Sequence, residues 1–143
     1  MESVHPLIVH FPIALLLTSV AADAAGRLLK RPALEQVGLW NLCLGALGAA
    51  AAVLTGLQAE TVAKHSFEIW KVMALHERLG KITLGLALAA VVIRLAKRNR
   101  LGTGLWTLTF LLTIIMISTL SWGAWLGGRL VYEFGVGGAA SHP

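Results

Sequence analysis

The chain has 143 residues, enough for one domain, but its composition excludes an ordinary soluble domain. Apolar residues make up 57% of it and charged residues only 13%, whereas soluble domains carry roughly 25% charged residues. The net charge of +5 would suggest nucleic acid in a soluble protein. Here the basic residues cluster at the ends of apolar segments, so we expect the lipid bilayer, and no nucleic acid, as the partner.

Four apolar segments predict membrane-spanning helices, and they cover about 6–28, 37–57, 72–96 and 105–130. Each has roughly the 20 residues needed to cross about 30 Å of hydrocarbon. Backbone groups in lipid must bond internally, so the spans are helices. Short connections then predict one all-α domain over residues 1–143, an integral membrane four-helix up-down bundle, with a flexible tail over about 135–143.

The orientation follows from the basic connections after the first and third segments, which hold Arg27, Lys30, Arg31, Arg94, Lys97, Arg98 and Arg100. The positive-inside rule places these connections in the cytoplasm and both termini on the opposite side. Near the same connections, Asp23 stands four residues before Arg27, a spacing that predicts an ion pair on one helix face.

The N-terminal segment opens with two histidines and two prolines, His5, Pro6, His10 and Pro12. Pro6 suits a first helical turn, and Pro12 should bend or loosen the helix near His10. An ionisable side chain within a bilayer is costly, which makes it a hypothesis of function.

The best-matched histidines are His10 and His76, which lie at similar predicted depth on the parallel first and third segments. In an up-down bundle these helices are diagonal. Packed neighbours are about 8–10 Å apart, which is tight for an iron between two imidazoles, so a diagonal pair suits it better. Imidazole is a usual axial ligand of haem iron. We therefore predict a b-type haem held by His10 and His76, since no Cys-x-x-Cys-His motif is present for covalent attachment.

Further residues at this end extend the prediction. His5 and His65 are candidates for a second haem, and Arg78 and Arg129 for pairing with haem propionates. His142 lies in the tail and is assigned no role. Two alternatives stay open: a copper or zinc site built from the same histidines, and a structural subunit of a larger membrane complex whose histidines only bond between helices.

Small residues occupy one face of the second segment and the end of the fourth: Gly45, Ala49, Ala52, Gly56, Gly123 and Gly127. Such faces allow close helix packing in lipid. They would equally leave room for a flat cofactor.

The opening stretch over 5–15, the Thr55-Gly56 pair, His76 before Leu79-Gly80 and the tail over 122–137 carry a resemblance. They resemble a bacterial family of small four-helix membrane proteins, the domain of unknown function 2231, over nearly the whole chain. The resemblance marks His5, His10 and His76 as motif positions.

In some larger proteins, related domains occur next to cytochrome or Rieske-type modules. This arrangement implies electron transfer rather than substrate conversion. Together with the orientation from the basic connections, a bacterial family predicts a multi-pass protein of the inner membrane with periplasmic termini. A quinone or a periplasmic redox protein is the expected partner of such an electron-transfer protein. A homo-oligomer is left open.

Overall fold

The computed structural model describes residues 5–60, 66–97 and 100–136. Its helices are α1 (His5–Ile8), α2 (His10–Leu28), α3 (Pro32–Glu60), α4 (Phe67–Ala96) and α5 (Thr103–Tyr132). No strand occurs in these three ranges. Helices α2 to α5 are each long and apolar enough to cross a membrane, so the prediction of an all-α four-helix membrane bundle is confirmed.

Helices α3, α4 and α5 are longer than the apolar segments that predicted them. Helix α3 begins five residues earlier than expected, at Pro32, and α4 begins at Phe67 rather than at about residue 72. The extra turns carry polar residues such as Glu35 and Lys71, which hydropathy does not count as membrane span. Of the predicted tail, residues 137–143 lie outside the described part of the chain.

The first apolar segment is divided at Val9, between α1 and α2. Pro12 has no N–H to donate to the carbonyl of Ile8, so one helical hydrogen bond is lost there. The bonds on either side are long, at 3.2 Å from Val9 N to His5 O and 3.3 Å from Ile13 N to Val9 O. The predicted loosening beside His10 is confirmed.

The bundle consists of two hairpins, α2 with α3 and α4 with α5. Helices α3 and α4 join the hairpins along one seam, and α2 meets α5 more loosely along the other. Over the described residues α2 does not pack on α4, nor α3 on α5, so these pairs are diagonal. All four helices meet in the core, where Leu16, Leu42, Ala87 and Met116 are fully buried.

One end of the bundle, the arginine end, holds a buried ion pair that joins the diagonal helices. Asp23 of α2 pairs with Arg94 of α4, and Arg94 Nη2 also donates to Glu35 O at 2.7 Å. The predicted partner of Asp23, Arg27, instead donates to Thr103 Oγ1 at 3.2 Å. That prediction was wrong because Asp23 faces the core, where a buried carboxylate needs a buried cation.

Gly38 makes room for this ion pair. A Cβ at this position would lie 2.1 Å from Asp23 Oδ1. The backbones of α2 and α3 therefore approach closely, and Ser19 Oγ donates to Gly38 O at 2.8 Å.

Candidate functional site

At the opposite end of the bundle, the histidine end, the four spanning helices and α1 surround a cavity of about 390 Å³. This volume lies within the range of about 300–1,000 Å³ usual for small-molecule sites. The space exists because many wall residues are small, among them Ala49, Ala52, Gly56, Gly80, Ala124, Gly127 and Gly128. His5, His10 and His76 also line it.

The rings of His5 and His76 meet in this cavity. Their centroids are 6.1 Å apart and their planes are inclined at 82°. An imidazole nitrogen binds a first-row metal at about 2.0–2.1 Å, and the ring centre lies about 1 Å further back, so two imidazoles on opposite sides of one ion have centres about 6 Å apart. The two rings thus stand at the separation that one bridging metal ion requires.

The His76 ring is held from α5. Its Nδ1 lies 2.8 Å from Gly123 O, and because a carbonyl only accepts, Nδ1 carries the proton. In the neutral ring the lone pair is then on Nε2, which is the tautomer of many metal-ligating histidines. Gly127 receives the ring, since a Cβ there would lie 3.1 Å from His76 Cε1.

The His5 ring is held from α3 in the same manner. Its Nδ1 lies 3.1 Å from Thr55 Oγ1. The Thr55 hydroxyl has one hydrogen, which it donates to the carbonyls of Ala51 at 2.9 Å and Ala52 at 3.1 Å, so it accepts from His5 Nδ1. A Cβ at Gly56 would lie 3.1 Å from His5 Cε1.

The pKa of His5 is lower than that of a free imidazole. Burial is the largest cause, and the neighbouring His76 lowers it further, while a hydrogen bond to the Ala52 carbonyl acts in the opposite direction. The neutral ring is therefore the form favoured at neutral pH, and it is the form that binds metal.

The histidine that the structure brings against His76 is His5, whereas the sequence prediction placed His10 there. His10 lines the cavity, but its side chain is exposed. The difference lies in the relative depth of the helices, because the ring contact places His76 level with α1 rather than with the first turn of α2. Ligation by the pair of His10 and His76 stays a prediction.

Two predicted propionate partners, Arg78 and Arg129, do not line the cavity. Arg78 is exposed, and Arg129 Nε donates to Glu133 Oε2 at 2.8 Å. That hydrogen bond lowers the pKa of Glu133, which follows the end of α5. The propionate pairing stays a prediction.

The remaining predicted ligand, His65, lies outside the described residues, as does His142. Within residues 5–60, 66–97 and 100–136 no group of three His, Cys, Asp or Glu side chains could hold a metal ion. A copper or zinc site of the usual three or four protein ligands would therefore need a ligand from elsewhere, such as His65. A haem needs only two.

Four apolar spanning helices around an internal cavity define a multi-pass membrane protein. The chain belongs to the family described as predicted membrane protein DUF2231, whose profile matches residues 1–140. The resemblance read from the opening stretch is thereby confirmed. No curated protein and no solved structure matches the chain.

Proposed function

We propose that this protein binds one haem b at its histidine end, where His5 and His76 would hold the iron, and transfers electrons. The observation that carries the proposal is the 6.1 Å separation of the two imidazole rings inside a cavity. The haem would supply one-electron chemistry, and the protein its ligands, orientation and low-dielectric surroundings.

The residues present fit such a group in three respects. Two imidazoles are the donor set of b-type haem. Each ring is oriented by a hydrogen bond at Nδ1, to Thr55 or to the Gly123 carbonyl, which leaves Nε2 as the atom that would bind the iron. The two rings pack against Gly56 and Gly127, and a Cβ at either glycine would crowd the ring next to it.

The competing function is a structural subunit whose histidines only join helices. The hydrogen bonds of His5 to α3 and of His76 to α5 would serve that role equally well. It does not account for the cavity that the two rings line, which close helix packing would have filled.

An optical spectrum of the protein purified in detergent from haem-replete cells separates these functions. We expect a Soret band, with sharp alpha and beta bands on reduction by dithionite, at one haem per chain. A colourless protein that contains copper or zinc by elemental analysis would support the metal-site alternative. A colourless, metal-free protein would contradict both ligand hypotheses and leave the structural role.

Filling the cavity should expel the haem without disturbing the helices. Gly80 lines the cavity one turn beyond His76, and the nearest atom to a Cβ there is Val53 Cγ2 at 3.8 Å. Gly80→Leu should therefore fold and lower haem affinity about tenfold, which corresponds to about 1.4 kcal/mol. The measurement is haem content per chain after titration with hemin.

The matched control is Gly85→Leu, on the exposed side of the same helix, where a Cβ meets nothing within 4 Å. This variant should keep the haem content of the wild type. Equal loss of haem in both variants would mean that the effect comes from α4 rather than from the cavity.

We further propose that the histidine end faces the periplasm of a bacterial inner membrane. The exposed basic residues of the arginine end, such as Lys30, Arg31, Lys97 and Arg100, support this orientation through the positive-inside rule. Cys43 is the single cysteine of the chain, so a Cys43→Ala variant gives a background without thiols. In intact cells of this variant, a membrane-impermeant thiol reagent should label Ser66→Cys and not Arg100→Cys. The reverse labelling would place the histidines in contact with the cytoplasm.

A further inference from the structure

Two contacts across the bundle, one at each end, join residues that are the same distance apart in the chain. Asp23 and Arg94 are separated by 71 residues, and so are His5 and His76. Both pairs connect the segment of α1 and α2 with α4. At 1.5 Å per residue, about 27 Å of helix lies between the two contacts.

The contacts inside each hairpin follow the same spacing. The His5 ring packs against Gly56, and the His76 ring packs against Gly127. In both contacts the glycine follows the histidine by 51 residues in the chain. Each ring also contacts the helix that carries this glycine, His5 through Thr55 Oγ1 of α3 and His76 through Gly123 O of α5. Adding 71 to the numbers of His5 and Gly56 therefore gives the contact of His76 with Gly127.

The buried positions of the two hairpins repeat with this spacing as well. Besides Asp23 and Arg94, the pairs of residues 71 apart that are both buried are Pro12 and Thr83, Leu16 and Ala87, Ser19 and Ala90, Gly38 and Thr109, Leu42 and Thr113, Gly45 and Met116, and Ala52 and Gly123. The residue types differ, but the inward-facing register of α2 matches that of α4, and the register of α3 matches that of α5.

We propose that the chain is an internal duplication of a two-helix unit, and that a pseudo-two-fold axis runs along the bundle between α2 and α4. Each unit enters and leaves the membrane on the same side, so the axis lies along the membrane normal, as in other parallel repeats. A residue that touches its own equivalent lies on such an axis. The histidine pair and the ion pair are therefore the two axial contacts.

The ion pair decides which units associate. Two copies of the first unit would oppose two buried Asp23 carboxylates, and two copies of the second would oppose two Arg94 guanidinium groups. Like charges brought together without water are strongly unfavourable. Asp23 and Arg94 thus select the pairing of the first unit with the second, while His5 and His76 keep the same side chain in both.

The axis also limits the ligand site, a consequence that rests on the proposed function. A ligand held by His5 and His76 lies on the axis, and it receives one equivalent nitrogen from each unit. The histidine end would accordingly hold one such ligand per chain.

Exchanging the charges in the full-length chain tests the duplication without reference to haem. Asp23→Arg and Arg94→Asp should each lower the unfolding temperature in detergent sharply, because each places two like charges on the axis. The double variant D23R/R94D should restore most of the decrease in unfolding temperature, because equivalent positions can exchange their side chains. A double variant no more stable than either single one would overturn the equivalence.

A second variant does not depend on these charges. In a permuted chain that carries residues 66–136 first and 5–60 second, the new connection from 136 to 5 replaces the present one from 60 to 66 at the same end. If the units are equivalent, this chain should fold as a monodisperse protein with an unfolding temperature close to that of the wild type. Aggregation of the permuted chain beside a well-behaved wild type would count against the duplication.

Discussion

Replacing His76 by alanine should remove the haem from the purified protein, and replacing His5 should do so nearly as completely. Each ring would be a ligand of the iron in the proposed site, and the centroids of the two rings are 6.1 Å apart. Loss of a residue that merely orients a metal ligand lowers affinity about 10–100-fold, so loss of a ligand should exceed that range. The measurement is the Soret absorbance per chain after titration with hemin.

His10→Ala is the matched control, because His10 lines the same cavity with an exposed side chain. It should retain the spectrum of the wild type. If instead His10→Ala loses the haem and His5→Ala keeps it, the ligand pair is the one predicted from the sequence, and the ring contact of His5 and His76 is structural.

Removing only the hydrogen bond that orients His5 should weaken haem binding less than removing the His5 side chain. Thr55→Val removes the acceptor of His5 Nδ1 and nearly preserves the shape of the side chain. We expect about tenfold weaker haem binding, the lower limit for an outer-shell partner. Thr107→Val, an exposed threonine bonded only to its own helix at Thr103 O, should leave binding unchanged.

The second large effect concerns the arginine end, where Arg94→Leu should destabilise the protein by about 3–5 kcal/mol. The substitution leaves the Asp23 carboxylate buried without its cation, and it removes the donor to Glu35 O. The free energy of unfolding in mixed detergent micelles measures the loss. Lys97→Leu, an exposed basic residue one turn further on, is the control and should change stability little.

The double variant D23L/R94L completes the cycle. Removing both charges abolishes the desolvation cost of each, so the double variant should be far more stable than Arg94→Leu alone. If Arg94→Leu leaves the free energy of unfolding unchanged, or if the double variant is less stable than Arg94→Leu, the ion pair is not buried in the membrane protein.

The four spans were predictable from the sequence because a bilayer demands long apolar helices and admits few alternatives. Pro12 likewise marked the break before His10, since a missing N–H acts locally. The helix ends were less predictable. Glu35 and Lys71 lie in helical turns beyond the apolar run, where polarity indicates the membrane surface and not the end of a helix.

The sequence was sufficient to predict which histidines lie at the site, but not which of them contacts His76. The histidines at one end of an apolar bundle indicated the cavity region, but the partner of His76 depends on the axial offset between helices. That offset is fixed by the packing of the His5 ring against Gly56 and of the His76 ring against Gly127. The ion pair was missed for the same reason, because local spacing pointed from Asp23 to Arg27 while the partner is Arg94.

A signal for both contacts is present in the sequence. The interval from His5 to Gly56 equals the interval from His76 to Gly127, and the same 71-residue offset relates Asp23 to Arg94. Aligning the chain with itself at that offset places His5 opposite His76 and Asp23 opposite Arg94, which local helical spacing does not.

The electron paramagnetic resonance spectrum of the oxidised, haem-loaded protein tests the central claim most directly, because it reports the axial ligands of the iron. We expect the low-spin ferric signal of two imidazole ligands in the wild type and no low-spin signal in His5→Ala, which should lose nearly all of its haem. A high-spin signal in the wild type, or a low-spin signal that survives in His5→Ala, would contradict ligation by His5 and His76.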